Sequence, residues 1–205
     1  MLYPDTSLVT VETINLIDAA SVVLTGQTEG FNIIGGTGVN AITGGGGVDT
    51  ILGGTGADAI NGGTGVDKFI IRVGDSSGIT STNIATPGVL TATEAYTHAA
   101  IDLITGFTTG ETIQFQAADG SALVFAATML RAGGTIAGAT GSVVMHRGTQ
   151  TNGTTFTAAT AGADTIVFFD IDGTGANATY QAIILVGYTV DANDTITAGG
   201  LLTAV

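Results

Sequence analysis

The sequence predicts a nearly all-β chain: a flattened parallel β-helix built from nine-residue units, followed by a β-rich C-terminal region. Three observations predict it. Residues 35–70 divide into four in-phase nonapeptides. Of the 205 residues 33 are Gly, each costing a helix about 1 kcal/mol. Beyond Ala100, short apolar and Thr-rich runs alternate with turn residues, the pattern of successive strands.

The units are Gly35–Thr43, Gly44–Leu52, Gly53–Asn61 and Gly62–Ile70. Glycines at places one, two and four permit a tight turn with positive φ. A short strand follows, and its eighth-place side chain points inward: Ile42, Ile51, Ile60 and Phe69. The phase runs back to Ile33 and Leu24, where the glycines have decayed. One unit buries almost nothing, so it must stack on its copies. Two units make one coil, and turns eighteen residues apart lie above one another on the same edge.

The elements then follow in order. Residues 1–25 read as an extended lead-in containing Leu8–Val11 and Ser21–Leu24, and residues 26–75 as the coils. Residues 76–100 form a Ser/Thr-rich connection. Residues 101–205 are a β-rich cap with strands at Ile101–Phe107, Thr112–Phe115, Ser142–His146, Thr165–Phe169 and Gln181–Val186. Helix is expected only at Thr91–Ala100 and Ala117–Arg131.

Composition narrows the function classes. Seventeen acidic residues against four basic ones give a formal charge of −13, which excludes a nucleic-acid-binding surface. A hydrophobic content of 44% excludes a disordered acidic tail. Without Cys there is neither disulfide nor thiol chemistry. The longest apolar run, Ala122–Leu130, is far too short to span a membrane, which takes about 20 residues. The N-terminus, Met1–Asp5, lacks the basic start and apolar stretch of a secretory signal. Three explanations stay open: the chain remains inside, leaves by another route, or is a fragment.

Asn40, Asp49, Asp58 and Asp67 each close a Gly-rich turn. Carboxylates and main-chain carbonyls on a flexible turn are ligands for a hard cation such as Ca2+. At the eighteen-residue offset Asp49 pairs with Asp67 and Asn40 with Asp58, and facing carboxylates would repel without a cation. Asp is also an ordinary turn residue. Four in-phase copies favour the metal.

These units resemble the G-G-x-G-x-D-x-U-x nonapeptide of RTX proteins, the repeat-in-toxin group exported by bacterial type I systems. The resemblance implies a calcium-binding β-roll. It also implies that the carbonyls of Gly36 and Gly38 join Asn40, Gly45 and Gly47 join Asp49, Gly54 and Gly56 join Asp58, and Gly63 and Gly65 join Asp67. Asn40 departs from the pattern, so its site is weaker by one charge. Asp67–Ile71 with Gly74-Asp75-Ser76 resembles the strand and turn that end the roll in RTX proteases and lipases. Ile101–Phe107 with Gly110–Ile113 resembles their D-x-I-x-x-F-x-x-G-x-D-x-I segment, with Glu in place of the second Asp. By that likeness Asp75, Asp102 and Glu111 are further ligands, or else exposed turn carboxylates. Asp164–Gly175 resembles a strand leading into D-x-D-G-x-G, where Asp170 and Asp172 either bind calcium or cap a hairpin.

Other patterns mislead. Gly74–Gly78 matches the G-x-S-x-G nucleophile elbow around Ser76, with Asp102 and His146 following, but no helix pattern follows it. Gly36–Ala41 fits a dinucleotide fingerprint yet recurs in phase and opens no helix. His98 and His146 lack a zinc-ligand partner motif. No enzyme is expected. From Ala182 to Leu201 the apolar, Thr/Ala-rich chain resembles an uncleaved type I export signal, and the composition resembles RTX-exported surface-layer proteins. The resulting expectation is a secreted calcium-binding structural module. Its implied partners are calcium ions, the type I (ABC) secretion machinery, and copies of itself in a surface lattice or a cell-surface glycan. The alternatives are the C-terminal module of a secreted protease or lipase, or of an RTX adhesin.

Overall fold

Short strands alternate between two sheets along the repeats. In the first sheet lie β1 (Thr13–Asn15), β3 (Asn32–Ile34), β5 (Thr50–Leu52) and β7 (Lys68–Arg72); in the second lie β2 (Ser21–Val23), β4 (Ala41–Thr43) and β6 (Ala59–Asn61). The computed structural model describes residues 13–76, 95–98, 100–124, 129–130, 143–151, 154–159, 161–171, 180–191 and 193–205. Neighbouring strands here are parallel. Asn32 pairs with Thr50, Thr50 with Lys68 and Ala41 with Ala59, each step being eighteen residues. Ile33, Ile51 and Phe69 therefore stack in one file, with Ile42 and Ile60 in the other, all fully buried in one core. Each contributes roughly 1.5–3 kcal/mol of burial.

The register slips at the N-terminal end. Val22, not Leu24, pairs with Ile42, and Ile14 pairs with Ile33. Leu24 is buried but lies past β2, its N–H donating to the Thr43 carbonyl. Its turn, Gly26–Gly30, carries Gln27, Thr28 and Glu29 in place of glycines, and eleven residues rather than nine separate Val22 from Ile33.

After β7 the stack is interrupted and then resumes. The strands β8 (Ala95–Thr97), β9 (Asp102–Thr105) and β10 (Thr112–Gln116) follow. β9 continues the second sheet beside β6, pairing Ile60 with Ile104; β10 continues the first beside β7, pairing Phe69 with Ile113. Both steps span forty-four residues instead of eighteen, so twenty-six residues are interposed. Nine residues again separate Ile104 from Ile113.

The remaining strands extend both sheets. They are β11 (Met129–Leu130), β12 (Val143–Thr151), β13 (Thr155–Ala158), β14 (Asp164–Asp170), β15 (Tyr180–Val186), β16 (Thr195–Ile196) and β17 (Leu201–Thr203). The first sheet runs β1-β3-β5-β7-β10-β17-β16; the second runs β2-β4-β6-β9-β15-β14-β12-β13-β8, with β11 beside β12. β15 is parallel to β9, and from there outward to β8 the pairs are antiparallel. The continuous apolar runs Ile166–Phe169 of β14 and Ala182–Leu185 of β15 are buried on both faces. Phe169 packs on Phe115 in the main core at 4.7 Å between ring centroids, while Ile166 and Phe168 join Phe156 and Ile184 in a second cluster.

The chain is all-β, with no helix among the described residues. Both helical expectations are corrected. Ala95–Thr97 is a strand beside β13. At Ala117 the chain turns: Gly120 donates to the Ala117 carbonyl, and Asp119 accepts from both the N–H and the hydroxyl of Ser121. Such local side-chain bonds compete with helix, and Ala122 then bridges to Gln116. The expected strand Leu8–Val11 lies outside the described residues, as does most of the 76–100 connection. Among the described residues no helix is long and apolar enough to cross a membrane.

Candidate functional site

The turn residues of the repeats form two ladders, one along each edge of the stack. On the edge leading into the second sheet, the main-chain N–H of Asn40 donates to Asp58 Oδ1 at 2.8 Å, and that of Asp58 to Asp102 Oδ1 at 3.0 Å. On the other edge, the N–H of Phe31 donates to Asp49 Oδ1 at 2.7 Å and that of Asp49 to Asp67 Oδ1 at 2.9 Å. The eighteen-residue pairing thus brings the expected residues together, but carboxylate meets amide rather than carboxylate. Asn40, Asp49, Asp58, Asp67 and Asp102 are all buried.

Asp102 and Glu111 hold the next rung on each edge. Asp102 precedes the pairing of Ala59 with Leu103, and Glu111 precedes that of Lys68 with Thr112. Their nine-residue separation was the sequence signal that they belong to the repeat, hidden by the interposed segment. Glu111 Oε2 accepts from the Thr108 N–H at 2.6 Å, and its carboxyl adjoins that of Asp67. Asp75 Oδ2 accepts from the Arg72 N–H at 2.8 Å, and its carbonyl receives the Gly56 N–H at 3.0 Å, which seats it over the Asp58 turn.

The second carboxylate oxygens are the informative atoms. Oδ2 of Asp58, Asp67 and Asp102 is buried and meets no hydrogen-bond donor in good geometry, with the Asn40 side chain beside the Asp58 carboxyl and the Glu111 carboxyl beside that of Asp67. Such an atom costs about 1–3 kcal/mol, and more when charged. At Asp58 and Asp67, as at Asp49, space for the second oxygen comes from the first glycine of the unit. A Cβ on Gly44 would lie 2.3 Å from Asp49 Oδ2, one on Gly53 2.6 Å from Asp58 Oδ2, and one on Gly62 2.2 Å from Asp67 Oδ2. Place one is therefore glycine to admit the carboxylate of its own unit at Gly53 and Gly62, whereas at Gly35 and Gly44 a Cβ would first strike the carbonyl of the next coil, Gly53 O at 1.7 Å and Gly62 O at 2.1 Å. No place-one glycine has positive φ; it falls at places two and four in the third and fourth units (Gly54, Gly56, Gly63 and Gly65) and at place four in the first (Gly38).

The expected carbonyl ligands sit in the same tight stack. A Cβ on Gly54, Gly56, Gly63 or Gly65 would lie 2.1–2.4 Å from the carbonyl oxygen of Gly36, Gly38, Gly45 or Gly47 respectively. Gly36 O and Gly45 O each accept one N–H, from Thr55 and Thr64. A carbonyl has a second lone pair, so these oxygens keep a site for a cation.

Electrostatics follow from burial. Desolvation pushes Asp58 and Asp75 up to about 6, Glu111 to about 7 and Asp102 to about 8, and it also raises Asp49 and Asp67. Neighbouring carboxylates add to it: Asp75 on Asp58, Asp58 and Asp75 on Asp102, and Asp67 on both Asp49 and Glu111. With only four Lys and Arg in the chain, basic side chains are too few to balance seventeen acids. Oxygen donors, unsatisfied and crowded with like charge, are the donor set of a hard cation. Among the described residues no three His, Cys, Asp or Glu side chains form a single metal-ligand group, so any such ion relies on carbonyls.

The remaining candidates lie elsewhere. Asp170 ends β14, and Asp172 lies outside the described residues. Ser76 is fully buried, donating to the Ala182 carbonyl at 2.8 Å and accepting the Asp102 N–H at 2.9 Å. Its hydroxyl pins the end of the coils to β9 and β15, whereas an elbow nucleophile stands exposed. His98 Nε2 contacts Gln150 Oε1 at 3.2 Å. No protein-family model matches the chain, and no curated protein matches it either.

Proposed function

We propose that the chain is a calcium-binding β-roll module that folds on meeting calcium. The single observation that carries the reading is the set of three buried carboxylate oxygens without partners, on Asp58 and Asp67 inside glycine-walled turns and on Asp102 one rung beyond Asp58. The ligands are those carboxylates with Asp75 and Glu111, completed by the carbonyls of the Gly-rich turns. A bound calcium supplies two positive charges against the crowded carboxylates. Without it, the acidic turns repel and the glycine-rich chain is too entropic to order.

This linkage suits a chain exported unfolded by a type I (ABC) system and folded outside, where calcium is abundant. A charged-residue content of only 10%, abundant Thr, Ala and Gly, and absent Cys support a place in a self-assembling bacterial surface layer, held by copies of itself or by a cell-surface glycan. Circular dichroism in EGTA, followed by calcium titration, tests the reading. The β signal of the coils is expected to appear with a midpoint around 10⁻⁴–10⁻³ M, the range of extracellular calcium modules. An unchanged spectrum would refute it.

A further inference from the structure

We infer that Asn40 is a built-in substitute for a cation, which closes the first rung of its ladder with the protein's own donors and leaves cation dependence to the later rungs. The inference rests on the calcium reading above.

Asn40 is completely buried and occupies the place that Asp58 and Asp102 take on the following rungs. Its Oδ1 accepts the Ala20 N–H at 3.1 Å, as Asp58 Oδ1 accepts the Asn40 N–H. That contact fixes the orientation of the amide, since the Ala20 donor requires an oxygen there. The NH2 group then stands where Asp58 and Asp102 carry an oxygen without a partner. It donates to the carbonyl of Gly38 at 2.9 Å and, more weakly, to that of Gly53 at 3.4 Å. A positive edge thus faces two carbonyl oxygens, the job a hard cation does one rung further on.

The other edge is also closed at its first carboxylate. Asp49 has both oxygens on main-chain donors, Oδ1 on the Phe31 N–H and Oδ2 on the Gly45 N–H at 2.9 Å. Partnerless oxygens begin at Asp58 and Asp67 and continue at Asp102. The cation requirement therefore grows from the N-terminal end of the stack toward the cap.

The test compares full-length wild type, Asn40→Asp and Asp58→Asn by calcium equivalents bound in equilibrium dialysis and by Tm at calcium just above the folding midpoint and at saturating calcium. Asn40→Asp places a carboxylate oxygen against two carbonyls; it is expected to bind one more equivalent and to widen the gap between the two Tm values. Asp58→Asn is expected to bind one fewer and to narrow the gap. Wild-type binding with an unchanged count and gap in Asn40→Asp would overturn the inference alone. No calcium binding by wild type would overturn the calcium reading and the inference with it. If Asn40→Asp does not fold in either condition, Asp58→Asn decides: an unchanged gap there overturns the inference.

Discussion

Acid should do part of calcium's work. In the metal-free fold, Asp58 and Asp75 titrate at about 6, Glu111 at about 7 and Asp102 at about 8, all above their ordinary carboxylate values because they are buried. The folded state thus holds protons that the unfolded chain has released. Their contribution to stability is fully present below about pH 4 and is lost as pH rises through roughly 6 to 8. At about 1.4 kcal/mol per pKa unit, and roughly halved for solvent screening, Asp58 and Asp75 each cost the metal-free fold about 1–2 kcal/mol at pH 7.5. Asp102 and Glu111 add to this, but Asp75 raises Asp58 and both raise Asp102, so the costs do not simply sum; the set removes on the order of several kcal/mol from a domain whose whole stability is ~5–15 kcal/mol. Urea unfolding in EGTA between pH 4.5 and 7.5 measures the effect. Metal-free stability should fall steeply across that range, and calcium should flatten the profile. Asp102→Asn should flatten it too, while Asp119→Asn, at an exposed turn, should not. Metal-free stability that rose with pH would refute the reasoning.

Other expectations concern packing. Gly62→Ala puts a methyl 2.2 Å from Asp67 Oδ2 and should cost about 1–3 kcal/mol in calcium by urea unfolding. Gly74→Ala meets nothing within 4 Å and carries only the strain of its φ of 100°, about 1 kcal/mol, so it should be the milder change. Ile60→Ala opens the centre of the inward file and should cost about 2–5 kcal/mol in calcium, with the calcium count unchanged. Ser76→Ala removes the hydroxyl between Ala182 and Asp102 and should lower stability by about 1–3 kcal/mol.

The repeat region was readable because its constraint is local and periodic. An inward Ile or Phe every nine residues dictates alternation between sheets, and the eighteen-residue pairing follows at once. Leu24 broke the rule where the turn glycines gave way to Gln27, Thr28 and Glu29, and register there depends on turn length that periodicity does not encode. The twenty-six interposed residues masked the continuation at Ile104 and Ile113, because pairing across an insertion is a tertiary fact. Five later strands, β9, β10, β12, β14 and β15, were visible as apolar runs, but β8, β11, β13, β16 and β17 were not, and neither was the order: β8 pairs with β13 some sixty residues away. Place-one glycines showed as a motif, while their reason, room for a carboxylate or for the next coil's carbonyl, needed coordinates. At Asn40 the sequence showed one charge fewer; only the hydrogen bonds showed donors facing carbonyls.

Amide hydrogen exchange across residues 44–67, compared in EGTA and in millimolar calcium, tests the central claim most directly. The N–H groups of Asp49 and Asp58 are held only by carboxylates whose other oxygens are crowded or partnerless. The account predicts strong protection of this segment in calcium and near-complete loss of it in EGTA at pH 7.5. Equal protection in both conditions would mean that these turns close without a cation, and would contradict it.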